Sequence, residues 1–200
     1  MAETTTTDVA LPGNVRNYWL AQTAEFIRHS LEPTLRDRLQ QSFSGALRKT
    51  LASGNLGAWA PRQHQLELLE AIAGSATSEK DAQARLVECG AYVEKHVSNR
   101  ISSLLFGIMT ADMFLRRLQA FWERDHDHSR GKCESELGSD GRSAIVRLSD
   151  ITGYELIGPA WMGWTRSALT SLTHASVTAS SEGFPRALTQ ADSFQFKVAW

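Results

Sequence analysis

The side chains best placed by type and spacing to do chemistry are Asp125-His126-Asp127-His128, with Cys133 a little further on. In an extended segment His126 and His128 project to one face, and Cys133 can approach them across a bend. Imidazole nitrogen and thiolate sulfur are ligands that zinc favours. The same residues also make an ordinary charged linker between a helix and a strand. No CxxC or HxxxH pattern supplies further ligands, so no metal is expected here. Cys89 lies between Leu86 and Val93 on an apolar helix face, which is the setting of a buried thiol rather than a nucleophile. His96 neighbours Val93 and Val97, where a lone helical histidine is more often a surface or satisfied core residue than a ligand or base. His29, His64 and His174 have no evident partner in the sequence. Asp112 and Glu123 fall roughly three turns apart on one helix, too far to act as a carboxylate pair. There is no Gly-rich phosphate loop, nucleophile elbow or HExxH. Neither a catalytic residue nor a cofactor is expected.

Trp161-Met162-Gly163-Trp164 offers a different chemistry. Indole and thioether groups among small neighbours suit an apolar ligand, and they suit a helix–sheet core equally well.

These residues must be positioned by an α+β arrangement. Residues 1–13 read as a disordered leader, 14–109 as a helical part, and 110–200 as the α+β part of the same domain. A first helix is expected over Asn14–His29 and a second from Glu32-Pro33 to Ser53-Gly54, with Leu35, Leu39, Phe43, Leu47 and Leu51 at steps of four. Gly54 to Pro61 reads as a loop, and Pro61 starts a short helix stopped by Gly74. Thr77-Ser78 opens the next helix with a cap and an acidic first turn, and Asn99 starts another. Thr110–Asp125 reads as one amphipathic helix bearing Phe114, Leu118, Phe121 and Trp122 on one face. The period then changes from helical to two. Lys132–Leu137 and Arg142–Leu148 form a hairpin across Gly138-Ser-Asp-Gly141. Gly158-Pro159 starts a helix, Ser176–Ser180 reads as a strand, and Asp192–Trp200 alternates as a terminal strand. The whole reads as a helical N-terminal half followed by a helix, hairpin, helix and terminal strand in a small antiparallel sheet.

Composition excludes other classes. Basic and acidic residues number 21 and 22, a net charge of −1, which provides no general field for nucleic acid. The apolar runs are far shorter than the ~20 residues a membrane span requires. The N-terminus has neither the basic nor the apolar segment of a secretory signal, and two cysteines make no disulfide framework. A reducing cytoplasm is the expected location.

Phe114-Leu115-Arg116-Arg117-Leu118, the hairpin, the helix Gly158–Ala175 and the ending Phe196-Lys197-Val198-Ala199-Trp200 resemble the heme-nitric-oxide/oxygen-binding (H-NOX) superfamily. Size and element order match over most of the chain, and the residue-level likeness lies in residues 110–200. The likeness is closer still to a paralogous family of myxobacterial proteins of similar length, with a similar leucine helix, hairpin and terminal V-x-W. The resemblance implies a heme held by a histidine about eight residues after the phenylalanine of the F-L-x-x-L helix. Trp122 occupies that position here, and indole cannot ligate iron. The expected Tyr-x-Ser-x-Arg propionate clamp is replaced by Val146-Arg147-Leu148-Ser149-Asp150. The resemblance therefore implies a heme-free, non-enzymatic signalling or regulatory module. Trp122, Trp161, Met162 and Trp164 are its expected ligand-binding residues, and its expected partner is a small apolar ligand or a protein. A homodimeric scaffold is the alternative, formed through the edge of the C-terminal sheet or through the helix Leu35–Leu51. A further alternative is a heme or metal sensor using His126, His128 or His96.

Overall fold

The computed structural model describes residues 13–97, 109–127, 131–181 and 193–200. The expected leader, the helix expected after Asn99, the loop around Gly183-Pro185 and His128 lie outside these residues, apart from Gly13 and Met109.

The chain is α+β. Strand β1 (Asn14–Arg16) leads into α1 (Asn17–Ser30), followed by α2 (Pro33–Ser42) and α3 (Gly45–Ala52). Strand β2 (Trp59–Pro61) pairs antiparallel with β1, and α4 (Arg62–Gly74) and α5 (Glu79–Val97) follow. Next come α6 (Ala111–Leu115), α7 (Leu118–Asp125), the hairpin β3 (Lys132–Leu137) and β4 (Ser143–Ser149), α8 (Ile157–Thr173), β5 (Thr178–Ser181) and β6 (Ser193–Ala199). The second sheet has the order β3-β4-β6-β5, all antiparallel. Its alternation is the one the sequence displays: Phe194, Phe196 and Val198 face the core, while Gln195 and Lys197 face solvent. The terminal strand is therefore an inner strand.

Four expected elements differ, the first being the loop Gly54–Pro61, whose end Trp59–Pro61 is strand β2. Asn14–Arg16 is a strand rather than the first turn of α1, because β2 is there to pair with it. The leucine-stepped helix is two helices. Ser44 stops the first by capping the second, accepting from Leu47 N, while its own N–H and hydroxyl both donate to Glu67 of α4. Phe43 and Leu47 turn into the core at this break, so there is no single Leu35–Leu51 face for a second copy to use. The helix capped by Thr110 also breaks, at Arg116-Arg117, where the Leu115 carbonyl accepts from Ser135 Oγ of β3 at 2.8 Å.

Helices α5 and α8 cross in backbone contact. A Cβ at Gly90 would lie 1.7 Å from the Ala160 carbonyl oxygen, and one at Gly163 would lie 1.9 Å from that of Val87. At this crossing Ser167 Oγ donates to the buried Glu94 carboxylate at 2.7 Å. The approach presses α8, which carries the tryptophans, against the helical half.

Candidate functional site

The site is an aromatic interior built from both halves of the chain. Trp161 and Trp164 stack at 4.7 Å between ring centroids, with their planes 11° apart. Trp122 meets Trp161 edge-on at 5.1 Å, and Trp19 of α1 lies over Trp161 at 6.1 Å. Phe114 and Phe121 extend the cluster beside Trp164 at 5.8 and 5.9 Å. All four residues expected to bind a ligand, Trp122, Trp161, Met162 and Trp164, are buried and belong to this core. A groove of about 930 Å³ opens elsewhere, over β3 and the α6–α7 break between Arg116, Glu134 and Arg147, and none of the four lines it.

Asp125 and His126 are buried in the interior and do not form a solvated linker. Asp125 is fully buried, held by Arg124 at 2.7 and 2.9 Å and by the Trp19 indole N–H at 3.3 Å. His126 is also fully buried; it forms a β-bridge with Val15 and stacks face to face on Trp122 at 4.0 Å. Its Nδ1 lies 3.3 Å from the Trp122 carbonyl, and Nε2 has no hydrogen-bond partner among the described residues. Burial drives the imidazole's pKa down to about 3, so it is neutral at physiological pH. Asp127 accepts from both nitrogens of Asn14 and pairs with Arg62 at 3.7 Å. These residues latch the end of α7 to β1 and α4.

Cys133 is buried as well, its sulfur accepting from the Trp161 indole N–H at 3.2 Å. Burial pushes both its thiol and that of Cys89 up to about 12, which leaves neither as a thiolate. Among the described residues no group of three or more His, Cys, Asp or Glu side chains is placed to hold a metal. His96 is exposed and stacked on Tyr92 at 3.8 Å. His29 and His64 do have partners, Glu25 at 3.2 Å and the Thr50 hydroxyl at 3.2 Å. His174 ends α8 in the left-handed conformation.

Sequence reasoning missed Trp19, Tyr154, Arg62 and Gln65 as parts of this site. Tyr154 donates to Gln65 and lies under the Arg62 guanidinium at 5.0 Å, with all three side chains buried. A cation and an amide in the first turn of α4 gave no sign of burial. The signal that was available was the number of tryptophans, which exceeds what one helix face can absorb.

With this geometry in hand, comparison with solved structures identifies the architecture. An Fe(II) unliganded H-NOX protein from K. algicida superposes with a TM-score of 0.65 at 9% identity, covering 92% of this chain and 95% of that one. An H-NOX protein from S. oneidensis in the Fe(II)NO state gives 0.61 at 10%, covering 92% and 97%. The IWP-051-bound H-NOX from Shewanella woodyi in the Fe(II)CO state gives 0.56 at 12%, covering 92% and 93%. The chain has an H-NOX-like fold. No family model matches its sequence, and no curated protein is detectably similar to it.

The H-NOX fold implies heme, and the ring pairs of this interior, as packed, leave no gap for it between them. A flat macrocycle between two rings requires about 7 Å, one carbon contact distance on each side. Trp161 and Trp164 are 4.7 Å apart and Trp122 and His126 are 4.0 Å apart. The place where the resemblance puts the iron ligand is held by Trp122, whose ring also lies against Gly131, where a Cβ would meet it at 2.7 Å. On β4, Val146 and Leu148 face the core and Arg147 turns out to Gln195, so these residues do not form a propionate clamp.

Proposed function

We propose that this chain is a heme-free regulatory module of H-NOX fold that acts through a protein partner. One observation carries the reading. Indoles from α1, α7 and α8 pack into one another in the interior, so tryptophans from the helical half and from the sheet half share one core. The hypothesised output is a population shift between packings of the two halves, set by the α5–α8 crossing and the Asp125-His126-Asp127 latch. A small apolar ligand would have to displace an indole to enter the tryptophan core, which favours the protein-partner reading. The module is read as non-enzymatic, since its interior histidine is neutral and enclosed and its thiols stay protonated. Two free, buried cysteines are consistent with a reducing cytoplasm. Among the described residues no helix is long and apolar enough to cross a membrane.

The test is an absorption spectrum of protein purified from cells supplied with a heme precursor, followed by native mass spectrometry. A colourless protein of bare chain mass is expected. A Soret band would overturn the heme-free reading, and a stoichiometric extra mass would replace the partner reading with a bound small molecule.

A further inference from the structure

The two most exposed large apolar side chains among the described residues are Leu56, at 48%, and Trp59, at 42%. They lie on the same turn-and-strand segment leading into α4. The Arg16 guanidinium lies over the Trp59 ring, its Cζ 3.9 Å from the centroid, a cation–π arrangement that holds the two side chains together. Its Nε and Nη1 donate to the carbonyls of Arg124 and Gly57, at 3.2 and 2.8 Å. Both partners are neutral backbone oxygens. The other cations around this face are each matched by a carboxylate: Arg124 by Asp125 at 2.7 Å, and Arg62 by Asp127 at 3.7 Å. Arg16 has no carboxylate within salt-bridge distance among the described residues. Among the described residues it is a guanidinium without a counter-charge, held beside an exposed indole and an exposed leucine.

Tryptophan and arginine are the side chains most enriched at interface positions that dominate binding energy, and a pre-fixed pair loses little rotamer entropy when a partner arrives. We infer that Arg16, Trp59 and Leu56 form a docking surface for a partner segment that carries carboxylates next to apolar side chains. A carboxylate would take the remaining donor edge of Arg16, and an apolar neighbour would cover Trp59 and Leu56. This assignment rests on the protein-partner reading above and names the surface that reading needs.

The test uses the full chain and a short fluorescein-labelled peptide of alternating glutamate and leucine, with lysine–leucine and serine–leucine versions as controls. Anisotropy is read at low and at physiological salt. The acidic peptide is expected to bind and quench tryptophan fluorescence, the lysine version to fail, and the affinity to fall with salt. Trp59→Ala and Arg16→Gln should each weaken binding about tenfold or more, the loss typical of a dominant interface residue. Leu56→Ser, at a nearly half-exposed side chain, should weaken it with no change in melting temperature, which keeps the test valid if Arg16→Gln unfolds the β1–β2 pair. No measurable binding of the acidic peptide, equal binding of the lysine peptide, or unchanged binding by all three variants would overturn the assignment. So would a concentration-dependent self-association abolished by Trp59→Ala, since the occupant would then be a second copy of this chain. Each of these outcomes leaves the heme spectrum untouched, so the two readings fail separately.

Discussion

Asn14 and Asp127 hold each other by three hydrogen bonds. The Asn14 backbone and side-chain nitrogens both donate to Asp127 Oδ2, at 2.7 and 2.8 Å, and Asp127 N donates back to the Asn14 carbonyl at 3.0 Å. The pair is partly exposed, yet it closes a loop of more than a hundred residues and sets β1 against the end of α7. Asp127→Ala removes the acceptor of two Asn14 donors and the carboxylate that faces Arg62. The expected loss is about 1–3 kcal/mol, the range for hydrogen bonds to a charged group, read from the urea midpoint at neutral pH. Asp127→Asn, which keeps the acceptor oxygen, should lose less. If Asp127→Ala melts like the parent protein, the latch contributes nothing.

His126 makes stability depend on pH in a set direction. Its folded pKa is about 3, whereas an unfolded histidine titrates near 6.5. Between those values the unfolded chain binds the extra proton, so stability rises with pH from about 3 to 6.5 and falls as the solution is acidified through that window. The slope from this one group is at most about 1.4 kcal/mol per pH unit. Burial also lowers the pKa of His64, so the informative quantity is the difference between the parent protein and His126→Phe. The variant should lose much of the slope between pH 4 and 6. An imidazole signal for His126 that titrates near neutrality would overturn the buried, neutral assignment.

The pattern of residues shows the sheet well and the site poorly, for a physical reason. Phe194, Phe196 and Val198 alternate because one face of β6 meets the core and the other meets water, which is a local rule. Thr110 and Ser78 cap their helices through side chains three positions from the amides they satisfy. Ser44 breaks a helix because Glu67 is on hand to accept from it, and Asn14 is extended because Pro61 and Asp127 are there. Those partners come from distant elements, so no window of sequence reports them. Asp125-His126-Asp127 looked like a charged linker for the same reason. Its three side chains are paid for by Trp19, Trp122, Asn14 and Arg62, which only the fold assembles.

Trp161 sits where the rings converge, touching Trp19, Trp122, His126 and Trp164 and donating to Cys133. Trp161→Ala should cost about 3–5 kcal/mol, the range for removing a large buried aromatic. The cavity left behind would be dry and lined by rings, the kind that accepts a flat apolar guest. Indole is therefore expected to raise the melting temperature of the variant and leave that of the parent protein unchanged. If indole stabilised both proteins equally, the rings would not be filling the interior as described.

The α5–α8 crossing gives the sharpest discrimination, because two effects oppose each other. Alanine is favoured over glycine inside a helix by about 1 kcal/mol, so propensity alone makes Gly90→Ala and Gly163→Ala stabilising. Neither glycine needs a left-handed backbone, as both lie within helices at negative φ. What each does is let a carbonyl of the other helix approach, to 1.7 Å and 1.9 Å of the missing Cβ. Backbone cannot step aside as a flexible side chain can, so the helices must separate and the tryptophans of α8 must shift with them. Overpacking of this kind costs about 1–3 kcal/mol or more, which outweighs the gain in propensity. Both variants should therefore be less stable than the parent protein in urea, with altered tryptophan fluorescence in the folded state. A stabilised Gly90→Ala would mean that the two helices do not meet at that point, and with them would go the coupling proposed between the halves.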